Sequence, residues 1–268
     1  MPIAHEDAYR AARFAACLAA IAWLLLLASP RAAAWQQPRQ PDMGEMRDMP
    51  GMSMQGGSHS TEALTPAEQA KLASDRRTSE FNHHLAGVLV FLAGLFFLAS
   101  AKLSGRWPAA RYVWPACFLA AGIFLLVFSD LDIWPFAAQG FWHGIVHDAE
   151  IRQHKIFSAI LLLIGGVELQ RARGRLKAAW GAWVFPAAAL AGAVLLLFHE
   201  HGTGMRGPDH MLVMEHIKHE HLGFAITGGA IAASKGLAET HSPWRHFYET
   251  FFPFLLMALG VLLFLYTE

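Results

Sequence analysis

Residues 199–221 contain an unusual concentration of side chains that bind metals. Six histidines in this stretch are accompanied by acidic residues and methionines. The histidines are His199, His201, His210, His216, His219 and His221; the acidic residues are Glu200, Asp209, Glu215 and Glu220; the methionines are Met205, Met211 and Met214. Imidazole nitrogen, carboxylate oxygen and thioether sulfur are all ligands of transition metals. Because the stretch joins two strongly apolar segments, it predicts a metal site at the edge of a membrane.

Pro208 and Asp209 indicate where a helix begins within this stretch, because proline suits the first turn and aspartate accepts from free N–H groups there. At about 100° per residue, the helix would have two chemically different faces. One face carries His216, His219 and Glu220 with Glu215 at its margin, and the other carries His210, Met214, Lys218 and His221. We predict that the metal lies on the first face and that the second meets headgroups and water.

A second set of candidate ligands lies upstream. If a helix begins near Phe141, then His143, His147, Glu150 and His154 recur at i, i+4, i+7 and i+11, within about 60° of arc. Polar side chains at membrane depth usually face the protein interior or a water-filled cavity. The spacing therefore predicts a metal site shared between helices.

Methionine is concentrated in a polar segment near the N-terminus. Residues 43–54 hold half of the chain's ten methionines. They are Met43, Met46, Met49, Met52 and Met54, and His59 follows them. The surrounding segment is too poor in apolar residues to form a core. Thioether sulfur selects Cu(I), whereas exposed methionine without such a role is an oxidation liability. This cluster therefore favours copper as the metal.

The composition limits the class of protein. Of the 268 residues, 54% are hydrophobic and only 16% are charged, with no net formal charge. These values predict an all-α polytopic membrane protein, and they give no basic excess that would indicate a nucleic-acid partner. The two cysteines, Cys17 and Cys117, lie in separate apolar segments, which excludes a thiolate cluster as the metal site.

The chain divides into three parts. Residues 1–34 have the basic start, apolar run and small residues of a secretory signal peptide, with an uncleaved anchor helix as the alternative. Residues 35–80 predict a flexible extracytoplasmic segment, in which a capping box at Thr65 and Glu68 indicates a short helix over 66–77. Residues 81–268 form a domain of six transmembrane helices, predicted at about 83–101, 113–129, 152–168, 180–199, 211–234 and 248–266.

Charge and histidine are both distributed unequally between the two sides of this domain. The loops predicted inside hold most of the lysines and arginines, among them Arg171, Arg173, Arg175 and Lys177, in agreement with an exported N-terminus. Eleven of the fifteen histidines fall at the outer ends of the helices, and only His241 and His246 fall inside. Three glycine pairs, Gly87 with Gly94, Gly165 with Gly166 and Gly228 with Gly229, predict close helix contacts.

Among these histidines, four form the strongest ligand set because they fall on facing helices of one bundle. They are His154, His199, His216 and His219, with His143, His147 and His83 as further candidates. A single histidine at a membrane interface is more often an anchor, which is the alternative for His83, His84, His201, His210 and His221. Glu150 and Glu220 would be ligands, acceptors that orient an imidazole, or proton relays. Asp130 and Asp132 would act in the same way or cap a short loop.

The methionine segment, the histidine-rich edge and the polytopic architecture together resemble the copper resistance protein D family of bacterial inner-membrane proteins. The resemblance rests on residues 43–54 and on residues 214–221. It implies copper uptake, sequestration or delivery across or at the inner membrane, with the methionine segment and the histidines on the periplasmic side. The partners it implies are the lipid bilayer and periplasmic copper chaperones.

Two other interpretations remain open at this stage. The histidines could bind a b-type haem, or an iron or zinc centre with carboxylates, in a membrane redox protein. They could also act as pH sensors of a structural membrane subunit, because imidazole titrates near neutrality. That interpretation leaves the methionine segment unexplained. No hydrolase triad, phosphate loop or nucleotide fingerprint is visible in the sequence, so no reaction is predicted.

Overall fold

A computed structural model describes residues 65–198, 210–241 and 243–268, and within these ranges every regular element is a helix. The predicted signal peptide and the methionine segment lie outside the described residues. The helices are α1 (Pro66–Leu103), α2 (Ala110–Phe128), α3 (Phe141–His147), α4 (Ala149–Ala172), α5 (Gly181–Leu196), α6 (His210–Ala238) and α7 (Arg245–Phe264). The predicted all-α class is therefore confirmed for this part of the chain.

The first helix is longer than the sequence pattern indicated. The capping box is present, because the Thr65 hydroxyl accepts from the Glu68 N–H and the Glu68 carboxylate accepts from the Thr65 N–H. Residues 66–77 are not a separate surface helix, however, but the first part of the 38-residue α1. No proline or glycine interrupts residues 67–86, so the backbone continues straight from the polar segment into the apolar one.

Three of the described helices, α1, α2 and α7, are long and apolar enough to cross a membrane. The apolar α5 is shorter, with 16 residues, and α4 and α6 carry charged residues along their length. Many large apolar side chains on these helices face outward, including Ile123, Leu163 and Leu190. A surface of this kind is stable in lipid, which indicates a membrane protein.

The six long helices pack in a closed ring. Each of α1, α2, α4, α5 and α6 contacts the next long helix in the chain, and α7 packs against α1 to close the ring. Successive helices run in opposite directions. We call the end where α2, α5 and α7 finish the histidine end, and the opposite end the arginine end.

Aromatic side chains fill the interior toward the arginine end. Five aromatic rings form a cycle of edge-to-face contacts, with successive ring centroids 5.1 to 6.3 Å apart: Phe97, Trp114, Phe118, Phe185 and Phe252. Four of the five are buried, and Phe97 is partly buried against them. Edge-to-face geometry is favourable because the positive edge of one ring meets the negative face of the next. This aromatic layer packs the interior of the bundle toward the arginine end.

Close helix contacts occur at some of the predicted glycines. A Cβ at Gly87 would lie 2.6 Å from the Gly260 carbonyl oxygen, and one at Gly94 would lie 2.5 Å from the Pro253 carbonyl oxygen, so α1 and α7 touch backbone to backbone. An added Cβ at Gly165 would lie 2.8 Å from the Leu119 nitrogen, and one at Gly228 would lie 3.3 Å from the Ala193 Cβ. The prediction is wrong for Gly166 and Gly229, where an added Cβ would meet nothing within 4 Å.

The helix predicted to start near Phe141 is broken at Asp148. This residue has an extended backbone (φ −117°, ψ 122°) and caps α4 by accepting from the N–H groups of Glu150 and Ile151. His143 and His147 therefore lie on α3, whereas Glu150 and His154 lie on α4. The predicted single stripe is wrong, because a capping aspartate stabilises a helix start at a position where the stripe requires an uninterrupted helix.

Candidate functional site

At the histidine end, His154 is held by a buried carboxylate. Its Nδ1 lies 2.7 Å from Asp130 Oδ1, and the two side chains retain only 17% and 6% of their exposure. Burial by itself would raise the pKa of Asp130, but hydrogen bonds from His154, Lys155 and Ser129 outweigh it and hold that pKa below its ordinary value. Asp130 is therefore a carboxylate at neutral pH. It orients the His154 ring with Nδ1 as the donor.

Lys155 contacts the second oxygen of the same carboxylate. Its Nζ lies 2.7 Å from Asp130 Oδ2 and also donates to the carbonyl oxygen of Leu126 at 2.9 Å and to the Ser129 hydroxyl at 3.1 Å. Ser129 in turn donates to Asp130. Each acceptor lies at the C-terminus of α2, where free carbonyls favour a cation. The buried charges are thus paired and fully hydrogen-bonded.

Two further hydrogen bonds tie neighbouring helices to this cluster. Asn82 of α1 donates to the Ser129 carbonyl oxygen at 3.2 Å, and Gln153 of α4 donates to the Phe198 carbonyl oxygen at 2.8 Å. The second bond holds the backbone just before the predicted ligand His199 against the residue that precedes His154. The histidine end of α1, α2, α4 and α5 is therefore joined by polar contacts.

A second cluster joins α1, α6 and the segment after α7. The His83 ring stacks on Tyr266 with centroids 3.9 Å apart and meets the His221 ring edge to face at 5.9 Å. His84 Nε2 lies 3.0 Å from the Tyr266 carbonyl oxygen. His221 and Tyr266 retain 4% and 0% of their exposure. His83 and His221 pack directly on each other, without the porphyrin-wide gap that the haem interpretation predicts between two histidines.

Tyr266 is anchored by acidic and hydroxyl groups. Its hydroxyl donates to Glu268 Oε1 at 2.6 Å, and the Ser79 hydroxyl donates to the same oxygen at 2.5 Å. Burial, together with the charge of Glu268, raises the pKa of the Tyr266 hydroxyl above its ordinary value. Tyr266 is therefore a neutral hydrogen-bond donor that fixes the segment after α7 across α1 and α6.

His216 and Glu220 lie one turn apart on α6 beside this segment. His216 Nε2 is 3.5 Å from both Glu220 Oε1 and the Thr267 hydroxyl. Glu220 Oε2 is buried and has no hydrogen-bond partner within the described part of the chain. A buried carboxylate oxygen without a donor is unfavourable unless a proton or a cation satisfies it. This pair therefore presents one imidazole and one unsatisfied oxygen to a cation.

The remaining predicted ligands on described helices are more exposed. His143 and His147 stack on each other on α3 with ring centroids 4.1 Å apart, and both are exposed. His219 is also exposed, although the helical face predicted for it is shared with His216 and Glu220. The prediction that the opposite face meets headgroups and water is wrong for His221, which packs against His83 of α1 and against Tyr266, whereas Lys218 on that face is exposed.

Several predicted ligands lie outside the described residues. These are His199 and His201 with the methionine ligands Met43, Met46, Met49, Met52 and Met54, and the side chain of His210 is likewise outside. Within residues 65–198, 210–241 and 243–268, no three side chains of the types His, Cys, Asp and Glu converge as a metal site. The described helices therefore supply pairs of donors at the histidine end.

Sequence reasoning missed Lys155, Tyr266 and Glu268 as parts of this end. Lys155 lies next to His154 in the chain, so a charge at membrane depth was a visible signal for a buried partner. Tyr266 ends the last predicted apolar segment and Glu268 follows two residues later, and nothing in their local pattern indicated that Tyr266 packs against α1 and α6.

No family model matches the chain, and comparisons with curated proteins and with solved structures likewise gave no significant match.

Proposed function

We propose that this protein is a copper-binding integral membrane protein that serves copper homeostasis or resistance. In this proposal the methionine segment captures Cu(I) outside the cytoplasm, and histidines at the histidine end of the bundle bind it next. His154, His199 and His216 are the central imidazole donors, with Glu220 beside His216. Five further side chains at the histidine end stay predicted copper ligands: His83, His143, His147, His219 and Glu150.

The Asp130–His154 pair carries the proposal. Histidines that bind metals almost always donate their second ring N–H to a carboxylate or a carbonyl, which fixes the tautomer and makes the ring a better ligand. The predicted ligand His154 has this arrangement, because its Nδ1 lies 2.7 Å from the Asp130 carboxylate. Imidazole suits copper, and thioether sulfur adds selectivity for Cu(I).

The proposal includes a topology. Six transmembrane helices follow a signal peptide, and the histidine end faces the periplasm of a bacterial inner membrane. The basic loops at the arginine end support this orientation, because lysine and arginine are enriched in cytoplasmic loops. The aromatic layer between the two ends supports capture and delivery on one side rather than conduction through the bundle.

The test is to replace His154 with alanine and, separately, Asp130 with asparagine. We expect His154→Ala to remove high-affinity copper binding and Asp130→Asn to weaken it by about 10- to 100-fold, as loss of an orienting partner usually does. The measurement is Cu(I) affinity by chelator competition, with metal content by mass spectrometry on the detergent-purified protein. His246→Ala is the control, since its side chain is 85% exposed at the arginine end.

Equal copper content in the wild type and in His154→Ala, with both proteins monodisperse, would contradict the proposed location. Bound iron together with a Soret absorption band would show that the histidines bind haem instead of copper. Weakening in His246→Ala to the same extent would show that the measured binding is nonspecific.

Deletion of residues 43–54 tests the role of the methionine segment. We expect the copper-binding stoichiometry to fall while the tightest site keeps its affinity, because thioethers load the protein and the helix ends retain the metal. Loading from a Cu(I)–chelator complex should slow several-fold in stopped-flow measurements. If the deletion variant loads copper at the wild-type rate, the methionine segment takes no part in loading.

A further inference from the structure

An open groove of about 600 Å³ lies on the outside of the bundle at the arginine end. Leu162, Leu163, Gly166 and Val167 of α4 form its apolar floor, and Arg175 and Trp180 stand at its rim. The floor is open at Gly166, where an added Cβ would meet nothing within 4 Å. The groove therefore combines an apolar surface along α4 with a cation and an indole at one end.

The loop from α4 to α5 is built to hold Arg175 at this rim. Gly174 has a left-handed backbone (φ 69°), which glycine adopts without strain, and it turns the chain back on α4. The N–H groups of Arg175 and Leu176 then both donate to the Gln170 carbonyl oxygen, at 3.0 and 3.2 Å. The backbone of Arg175 is thus held beside the last turn of α4.

The same loop carries positive charge that the described protein does not neutralise. Arg171 is engaged in ion pairs with Glu168 at 2.8 Å and with Glu239 at 3.0 Å. In contrast, Arg173, Arg175 and Lys177 are exposed and form no ion pair within the described residues. Residues 169–180 contain no aspartate or glutamate. An anionic ligand at this rim would therefore be stabilised by the positive charge of these side chains.

We propose that this groove binds an anionic phospholipid. One acyl chain lies along Leu162, Gly166 and Val167, and the phosphate accepts from Arg175, with Arg173 and Lys177 nearby. A guanidinium binds phosphate oxygens in bidentate fashion, and an indole is favourable at the level of the headgroups. The apolar floor distinguishes this ligand from free phosphate, which would gain nothing from burial there. The inference rests on the membrane location of the bundle and is independent of copper.

The experiment is native mass spectrometry of the full-length protein in detergent with equimolar phosphatidylglycerol and phosphatidylcholine. We expect the wild type to retain phosphatidylglycerol preferentially and Arg175→Gln to bind it about fivefold more weakly, the usual effect of one cation at a membrane surface. Arg175→Lys should keep only part of the preference, because lysine retains the charge but not the bidentate geometry. Gly166→Leu should reduce the retention of both lipids, because the new side chain occupies the groove without a clash in the bundle.

Gly229→Leu is the matched control, since that helical glycine also faces open space. It should bind lipid like the wild type, and copper content should be unchanged in all these variants. Equal retention of the two lipids by the wild type, or retention by Gly166→Leu equal to that of Gly229→Leu, would overturn the proposal. A copper-free protein that still selects phosphatidylglycerol would contradict only the proposed function.

Discussion

Replacing Lys155 with methionine should lower the free energy of unfolding by about 3 kcal/mol, the usual effect of removing one partner of a buried ion pair. The substitution leaves the buried Asp130 carboxylate without its lysine, with hydrogen bonds only from His154 and Ser129, and removes the donor from the Leu126 carbonyl. Methionine has nearly the same length, so little packing is lost. Unfolding in mixed micelles with increasing sodium dodecyl sulfate, followed by circular dichroism, measures the change.

A double-mutant cycle separates the charge from the packing in this prediction. Adding Asp130→Asn to Lys155→Met should recover part of the lost stability, because the uncompensated charge is then gone. Lys102→Met is the surface control, since Lys102 is exposed. If Lys155→Met unfolds at the same detergent fraction as Lys102→Met, the buried pair does not stabilise the histidine end.

Replacing Gly260 with alanine should destabilise the bundle by about 2 kcal/mol. The added Cβ would lie 2.6 Å from the Phe91 nitrogen and 2.7 Å from the Gly87 carbonyl oxygen, so α1 and α7 must separate. Overpacking of this kind costs up to about 3 kcal/mol, and the better helix propensity of alanine offsets about 1 kcal/mol. The same detergent titration measures the effect.

Gly229→Ala is the control for this contact, because it makes the same chemical change at a helical position with open space. It should leave stability unchanged or raise it by up to about 1 kcal/mol through helix propensity. Destabilisation of equal size at both positions would mean that the α1–α7 contact is not close.

The helices themselves could be predicted because their signals are local. Each of the six apolar segments lies in a helix of the structure, with ends within a few residues of the predicted ones except for the start of α1, which is Pro66 rather than about residue 83. The capping box at Thr65 could also be predicted from the sequence, since its two hydrogen bonds join residues that are three positions apart. The break at Asp148 was missed because the regular spacing of polar residues does not reveal a helix cap that interrupts it.

The helical class, the placement of the long helices and the gathering of histidines at one end of the bundle can all be predicted from the amino-acid sequence. Hydrophobic length and chain direction suffice for these features. Which side chains meet at that end depends on the packing of the helices. His154 contacts Asp130, which lies just after the end of α2, and His221 packs inward against His83 and Tyr266. Such pairings depend on how each helix is rotated about its axis, and packing between distant segments sets that rotation.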